Sequence, residues 1–169
     1  DVYLLDSNEG RVLRIYRVGN NYMVDPTFVC GPGQAAGQII GPLIDISVLP
    51  PNNNYRATVL ATDVNGNLVY CAPGESGYDS LMMPAPDTNW GNIKAIELSD
   101  GLLYVLDPLV NAVWYIYGNN ESIYNTEPRL FFTNQVPQMD DILDFTIDQG
   151  FLYLLHSNGE MTTCEASGF

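Results

Sequence analysis

The distribution of apolar and polar positions along this chain has the period of a β-strand almost everywhere. Apolar runs alternate with period two, and short segments rich in Gly, Asn and Asp separate them. No window of about 11 residues places its apolar side chains at helical spacing. The pattern therefore predicts an all-β protein made of short strands and tight turns.

One hairpin pattern occurs several times along the chain. The segment 2–6 (VYLLD) recurs as 103–107 (LYVLD) and again as 152–156 (LYLLH). Segments 3–16 and 104–117 align without a gap and carry the same residue at six of fourteen positions, and a weaker copy occupies 58–71. Self-similarity of this kind is typical of a protein built from structural repeats.

The strands that flank this hairpin repeat as well. If the hairpin strands are called b and c, a strand a precedes them at 44–49, 93–98 and 143–148, and a strand d follows at 22–30, 78–83 and 129–133. The a strands begin about 50 residues apart, which suits a four-stranded propeller blade. Tight turns join a to b, and Asn65-Gly66 is a strong b-to-c hairpin turn. The sequence thus predicts a single domain with four repeats, at about 1–33, 43–86, 92–134 and 142–169.

The b strands are apolar at consecutive positions, as in 102–106 and 151–155. A strand that is covered on both faces does not need to alternate. Blades packed face to face supply that cover, so we expect Leu106 and Leu155 to be buried between blades. A β-sandwich is the rival architecture, but it does not explain a repeat of this length.

The residues at the end of strand b resemble a known family. Asp6 is followed by Val12, and Asp107 by Val113, and this pattern is similar to that of NHL-type and YWTD-type propeller blades. Thr62 stands in place of the Asp in the second repeat, and His156 in the fourth, and no full signature of either type is present. The resemblance implies an architecture and not an activity, because propellers host many unrelated functions.

The repeats also predict that the propeller is incomplete. The first repeat lacks strand a and the last lacks strand d, so the fold class is a β-propeller segment of about three and a half four-stranded antiparallel blades. A closed ring has four to eight blades, here expected to be six to eight. We therefore expect the remaining blades elsewhere in a larger protein, or in a second copy.

The charge of the chain excludes some partners. Its formal net charge is −14, and its six basic residues include a single lysine, Lys94. So few cations cannot neutralise many phosphates, which disfavours nucleic acids and anionic membrane surfaces. No apolar run approaches the ~20 residues of a membrane-spanning helix. Three scattered cysteines match neither a disulfide framework nor a CxxC metal site, so they are predicted to be small apolar core residues.

The candidate binding residues lie in the loops expected on one face of the blades. His156, the sole histidine, occupies the position that Asp6 and Asp107 occupy in sister repeats, at the start of the b–c loops. The d-to-a connections carry the pair Asp140 and Asp141, and also Trp90, which is either an exposed aromatic anchor or a side chain packed under the neighbouring blade. The alternative for the polar residues is that they stabilise turns with their own side chains, and we assign no catalytic residue.

Asp63, Asn65 and Asn67 have the first three spacings of a calcium loop. Leu68 occupies the position where such a loop needs Gly, and no Glu follows at position twelve, so turn formation explains these residues better. No cofactor is expected, with Ca²⁺ the lesser alternative. The sequence thus favours a non-catalytic binding, sensory or scaffold module outside the cytoplasm that recognises a protein, peptide or glycan. The alternative is a hydrolase or lyase with a divalent cation on the propeller axis.

Overall fold

The computed structural model describes residues 1–35, 38–49, 59–73, 78–81, 93–117 and 127–165, and it is all-β. The sole helical turn in these ranges is the three-residue 3-10 turn Pro108–Val110, and they contain no helix long and apolar enough to cross a membrane. The strands in chain order are β1 Val2–Asp6, β2 Arg11–Val18, β3 Asn21–Val24, β4 Gly33–Ala35, β5 Gln38–Ile40, β6 Leu43–Val48, β7 Val59–Asp63, β8 Leu68–Cys71, β9 Tyr78–Leu81, β10 Ala95–Ser99, β11 Leu102–Asp107, β12 Ala112–Tyr117, β13 Arg129–Leu130, β14 Ile142–Asp148, β15 Phe151–His156 and β16 Met161–Glu165.

These strands form antiparallel sheets in two compact units. The N-terminal unit, Asp1–Met82, contains the sheet β1-β2-β3 (blade 1) and the sheet β6-β7-β8-β9 (blade 2), with the small hairpin β4-β5 in the connection. The C-terminal unit, Met83–Phe169, contains β10-β11-β12-β13 (blade 3) and β14-β15-β16 (blade 4). Consecutive strands pair within each blade, as the a-b-c-d order predicts. The hairpin β4-β5 is not apparent from the repeat.

The tight turns follow from residues that accept a left-handed backbone. Blades 3 and 4 join strand a to strand b through two residues with positive φ: Asp100 (50°) with Gly101 (77°), and Gln149 (48°) with Gly150 (83°). Two consecutive positive φ values define a type I′ turn, whose twist matches that of the flanking strands. These turns fix the register of strand b against strand a.

Equivalent residues build the core of each unit. In blade 1, Leu5 pairs with Val12, and in blade 3 Leu106 pairs with Val113 in the same register. Tyr3 packs edge-on against Phe28, with 5.6 Å between ring centroids, and its counterpart Tyr104 packs edge-on against Phe131 at 6.2 Å. The repeat seen in the sequence is therefore a repeat of side-chain packing.

The expectation that the b strands are covered on both faces is right for blades 2 and 3 and wrong for blades 1 and 4. All of β7 is buried, and Leu106 in β11 is fully buried as predicted. In contrast, Leu4 is 48% exposed and Leu155 is 36% exposed. Leu155 points to the face of blade 4 opposite the core residues Leu152 and Leu154, and the described residues place no further blade on that side.

The prediction that the cysteines are simple apolar core residues is wrong for two of them. Cys30, after β3, and Cys71, the last residue of β8, form a disulfide with Cα atoms 5.7 Å apart. Both are buried in the N-terminal core, and the bond joins blade 2 to the segment that follows blade 1. Only the fold brings residues 41 positions apart together, so spacing alone gave no signal. Cys164 is a free, half-buried thiol.

Candidate functional site

The four b strands end at equivalent positions, and each carries a polar side chain at the b–c loop. β1, β7, β11 and β15 end at Asp6, Asp63, Asp107 and His156. The assignment of Thr62 to this position in the second repeat is wrong. Thr62 pairs with Leu68 inside the sheet, whereas the Asp63 N–H donates to the Asn67 carbonyl in the way that the His156 N–H donates to that of Glu160.

Asp63 is fully buried, and both of its carboxylate oxygens accept hydrogen bonds. Oδ1 accepts from the backbone N–H groups of Asn65 (2.9 Å) and Asn67 (2.7 Å). Oδ2 accepts from the backbone N–H of Gly41 (2.7 Å) and from Nδ2 of Asn67 (2.9 Å). The carboxylate thus fixes the b–c hairpin and ties it to the residues before strand a. These are the contacts of a side chain that stabilises a turn.

Blades 1 and 3 build the same corner in different ways. Asp6 Oδ1 accepts weakly from the N–H groups of Asn8 (3.2 Å) and Glu9 (3.3 Å), and Asp107 is fully buried. After Asp107, the 3-10 turn Pro108–Val110 is capped by Asn111, whose left-handed backbone (φ 50°) leads into β12. Asn111 Oδ1 accepts from the N–H of Met139 at 3.0 Å, so the b–c loop of blade 3 is bonded to the connection that leads into blade 4.

His156 links three segments of blade 4. Its Nδ1 lies 2.9 Å from Asp141 Oδ1, and its Nε2 lies 2.7 Å from the Thr162 hydroxyl. Because a carboxylate only accepts, Nδ1–H donates to Asp141, and Nε2 is left to pair with the Thr162 hydroxyl. The Ser157 N–H also donates to the Asp141 carbonyl at 2.9 Å. The order of carboxylate, imidazole and hydroxyl is that of a hydrolase triad. Here these bonds join the d-to-a connection to strands b and c.

Hydrogen bonds of Lys94 and Glu97 join blade 3 to blade 4. Lys94 Nζ donates to the Ile142 carbonyl at 2.7 Å, which uses the single lysine of the chain in an internal contact. Further along the a strands, the Glu97 carboxylate accepts from the Thr146 hydroxyl (3.1 Å) and the Ile147 N–H (3.2 Å). Desolvation by burial raises the pKa of Glu97 above its ordinary value, in spite of these two hydrogen bonds.

Large apolar side chains are exposed on the b–c loops and d-to-a connections that these hydrogen bonds hold in place. On the b–c loop of blade 3, Leu109 is 71% exposed and Val110 is 44% exposed. In the N-terminal unit, Ile39 is 77% exposed, and its carbonyl accepts from Asn67 Nδ2 at 3.2 Å. Sequence reasoning missed these residues, although Pro108-Leu109-Val110 in a hairpin connection is an apolar run where polar turn residues are usual.

The structure brings together only part of the predicted binding set. Asp141 and His156 are in contact, Asp140 beside them is exposed, and Asp107 lies in the same unit. Asp6 belongs to the N-terminal unit, and Trp90 lies outside the described residues. Within the described ranges, no three Asp, Glu, His or Cys side chains are grouped as metal ligands would be.

Comparison with known proteins gives the fold. No family model matches the chain, and no curated protein matches it in sequence. A chain of the crystal structure of a nidogen/laminin complex matches 93% of this chain with a TM-score of 0.61 at 12% identity. The surface component PorZ of the type-IX secretion system of Porphyromonas gingivalis matches 90% with a TM-score of 0.44 at 17% identity. The chain spans 55% of the nidogen/laminin neighbour and 21% of PorZ. With its repeated four-stranded sheets and its likeness to the nidogen propeller, the chain has the fold of β-propeller blades.

Proposed function

We propose that this chain is a non-catalytic binding module of a larger protein, located outside the cytoplasm, and that it recognises a protein or peptide through its b–c and d-to-a loops. The observation that carries the proposal is the combination of internally bonded loops and exposed apolar side chains. The side chains of Asp63 and His156 form hydrogen bonds within the loops and connections of the chain itself. Ile39 and Leu109, in contrast, are 77% and 71% exposed.

This combination suits recognition for a physical reason. A loop that is fixed before it binds loses little conformational entropy in the complex, so more of the contact energy appears as affinity. Exposed apolar side chains release water when a partner covers them, at roughly 25 cal/mol per Å². Hydrogen bonds such as Asn67 Nδ2 to the Ile39 carbonyl provide that fixation beside an exposed apolar side chain.

The class of partner follows from charge and from the fold neighbour. With a net charge of −14 and six basic residues, the chain has few groups to bind phosphates. The nidogen/laminin neighbour comes from a complex of two proteins, which supports a protein partner over a glycan. Location outside the cytoplasm is supported by the buried Cys30–Cys71 disulfide, since such bonds persist in oxidising compartments.

The test compares the wild-type chain with the double variant Ile39→Asp/Leu109→Asp. Each is screened against a displayed random-peptide library and an immobilised glycan array, and affinities are then measured by interferometry. We expect peptides selected by the wild-type chain to bind the double variant at least about tenfold more weakly, a loss of about 1.4 kcal/mol or more.

A matched control is Val18→Asp. Val18 is 48% exposed and ends β2 at the opposite end of the blade from the b–c loop, so this variant should bind as the wild type does. Equal binding by the double variant would contradict recognition through the loops of either unit. Selection of glycans alone would replace the protein partner with a carbohydrate, and absence of any binder in either screen would overturn the function.

A further inference from the structure

Three exposed apolar side chains lie on two connections of the C-terminal unit that a hydrogen bond joins. Leu109 (71% exposed) and Val110 (44%) are in the b–c loop of blade 3, and Val136 (46%) is in the connection that leads into blade 4. Asn111 Oδ1 accepts from the Met139 N–H at 3.0 Å, so the two connections lie side by side. Polar residues are usual in such connections, and apolar side chains are not. We call Leu109, Val110 and Val136 the loop patch.

Hydrogen bonds fix the backbone that carries the loop patch. Pro108 begins the 3-10 turn of the b–c loop, and the Asn111 N–H donates to the Pro108 carbonyl at 3.1 Å. In the other connection, the Ile142 N–H donates to the Met139 carbonyl at 3.1 Å. The patch lies at the end of the sheets and not on a blade face that a neighbouring blade would cover. It is therefore an ordered apolar surface that loses little conformational entropy on binding.

The charge of the C-terminal unit is strongly negative. This unit contains twelve acidic and two basic residues, for a formal net charge of −10, whereas the N-terminal unit has a net charge of −4. Asp140 follows Met139 directly and is exposed. The side chain of Asp141 is 44% exposed, although its Oδ1 bonds to His156. Two exposed carboxylates therefore lie beside the loop patch.

The two basic residues of the C-terminal unit are used elsewhere. Lys94 Nζ donates to the Ile142 carbonyl at 2.7 Å, and the Arg129 guanidinium lies over the Tyr117 ring, 5.6 Å from its centroid. Among the residues that the structure describes, neither cation forms an ion pair with the carboxylates beside the loop patch. The negative charge there is thus available to a cationic partner.

The apolar and acidic groups are close enough for one short peptide to contact both. Leu109 is two residues from Asn111, and Asp140 is next to Met139, the residue that bonds to Asn111. Because consecutive Cα atoms are about 3.8 Å apart, the Cα atoms of Leu109 and Asp140 lie within about 20 Å of each other. An extended peptide covers that distance with about six residues.

We propose that the loop patch binds a basic segment of a protein partner, in which an apolar side chain lies near Lys or Arg. This inference rests on the proposed function and names the chemistry of its partner. The apolar side chain covers the loop patch and leaves water, and the cation lies beside Asp140 and Asp141. Exposed ion pairs contribute little affinity, but they accelerate encounter and disfavour acidic partners. The apolar contact thus supplies the affinity, and the carboxylates select the charge of the partner.

The first test selects short peptides on the full 169-residue chain from a displayed random library. We expect the enriched peptides to combine Lys or Arg with an apolar residue. Interferometry at about 0.1 M and about 1 M NaCl then measures their binding, since the Debye length falls from about 10 to about 3 Å between these concentrations. The association rate should decrease several-fold at high salt, and the dissociation rate should change less.

Leu109→Ser tests the apolar contact without adding a charge. We expect this variant to bind the enriched peptides at least about tenfold more weakly. Leu130→Ser is the matched control, because Leu130 is 44% exposed in β13, outside both connections, and this variant should bind as the wild type does. Circular dichroism checks that each variant is folded.

Asp140→Lys tests the selection of charge. This variant should bind the basic peptides several-fold more weakly, and it should prefer synthetic versions of the same peptides in which Glu replaces Lys and Arg. Asp148→Lys is the matched control, because it makes the same change in net charge at the opposite end of blade 4, where β14 ends. An equal effect of the two substitutions would overturn the inference, since overall charge would then explain the binding.

The remaining outcomes separate this inference from the proposed function. Neutral or acidic peptides that lose binding in Leu109→Ser would overturn the basic partner and leave recognition through the loops in place. Basic peptides that bind Leu109→Ser as tightly as the wild type would overturn the loop patch as their site. Absence of any enriched peptide would overturn the proposed function, and this inference with it.

Discussion

At the scale of single residues, the end of strand b shows how different side chains fix one corner of the fold. In blade 2, the Asp63 carboxylate accepts the backbone N–H groups of the hairpin and of Gly41 directly. In blade 4, the imidazole of His156 cannot accept so many hydrogen bonds, and a carboxylate from the preceding connection, Asp141, bonds to it. The corner is therefore conserved in geometry between these blades while its chemistry differs.

Substitution of Asp63 tests this role. Asp63→Asn replaces one acceptor oxygen with an NH₂ group, which then faces the N–H donors that bonded to that oxygen. We expect a decrease of about 1–3 kcal/mol in the free energy of unfolding. The measurement is urea denaturation followed by circular dichroism, with exposed Asp140→Asn as the control. A change no larger than that of the control would show that the hairpin is held by its backbone alone.

Glu97 gives stability a pH dependence whose sign follows from its environment. Burial raises the pKa of Glu97 above 4.5, so the folded chain binds this proton more tightly than the unfolded chain does. The contribution of Glu97 is fully present below pH 4.5 and is lost as the pH rises through the raised pKa. Replacing it with Gln, which does not titrate, should flatten the curve of unfolding free energy against pH in that window. Urea titrations from pH 4.5 to neutrality would measure this, with exposed Glu127→Gln as the control.

At the scale of strands and sheets, the sequence pattern predicted the contacts between residues that are close together in the sequence. The alternation of side chains and the Gly-containing turns were enough to place strands b and c and their register, since those contacts join neighbours in sequence. The exposure of Leu4 and Leu155 could not be read in the same way. Their sequence context matches that of buried residues, and burial depends on which sheet lies opposite.

The same limit applies to the candidate site. Sequence identified the end of strand b as a distinctive position, and it placed His156 and Asp107 there. It misplaced the second repeat by one residue, at Thr62 instead of Asp63, because that repeat is only weakly similar in sequence to the others, although the b–c loop has four residues in all four blades. The contact of His156 with Asp141 joins residues 15 positions apart and required the fold.

A pair of leucine substitutions measures how the two faces of strand b differ. Leu106 is fully buried between blades, so Leu106→Ala should decrease the free energy of unfolding by about 2–5 kcal/mol. Leu155 is 36% exposed, and Leu155→Ala should cost less than about 1 kcal/mol when measured in the monomer. Chemical denaturation at a concentration below that of any self-association gives both values. Equal losses would mean that the two leucines are equally buried in solution.

At the scale of the whole molecule, each of the two units has its own hydrophobic core, and only one of them is cross-linked. The N-terminal core includes Val12, Phe28 and Val59 around the Cys30–Cys71 bond. The C-terminal core includes Tyr104, Phe131 and Phe145. The disulfide thus joins blade 2 to the segment that follows blade 1 within the N-terminal core.

Removal of the disulfide should therefore act mainly on one unit. For a loop closed by residues 41 positions apart, chain entropy gives a stabilisation of about 4 kcal/mol. We expect Cys30→Ala/Cys71→Ala to lower the melting temperature and to increase hydrogen exchange in β1, β2 and β6–β8 more than in β10–β16. Cys164→Ala, which removes the free thiol, is the control. Uniform loss of protection across both units would show that they unfold as one.

The disulfide has one more consequence, for the continuity of the chain. It encloses residues 31–70, so a single cut of the backbone anywhere in that interval leaves both fragments on the same molecule. A protein carrying such a cut would migrate as one species under non-reducing conditions and separate into two after reduction. A protease could therefore cleave the connection between the first two blades without releasing either piece. After such a cut, the Cys30–Cys71 disulfide would be the covalent link that holds the two pieces together.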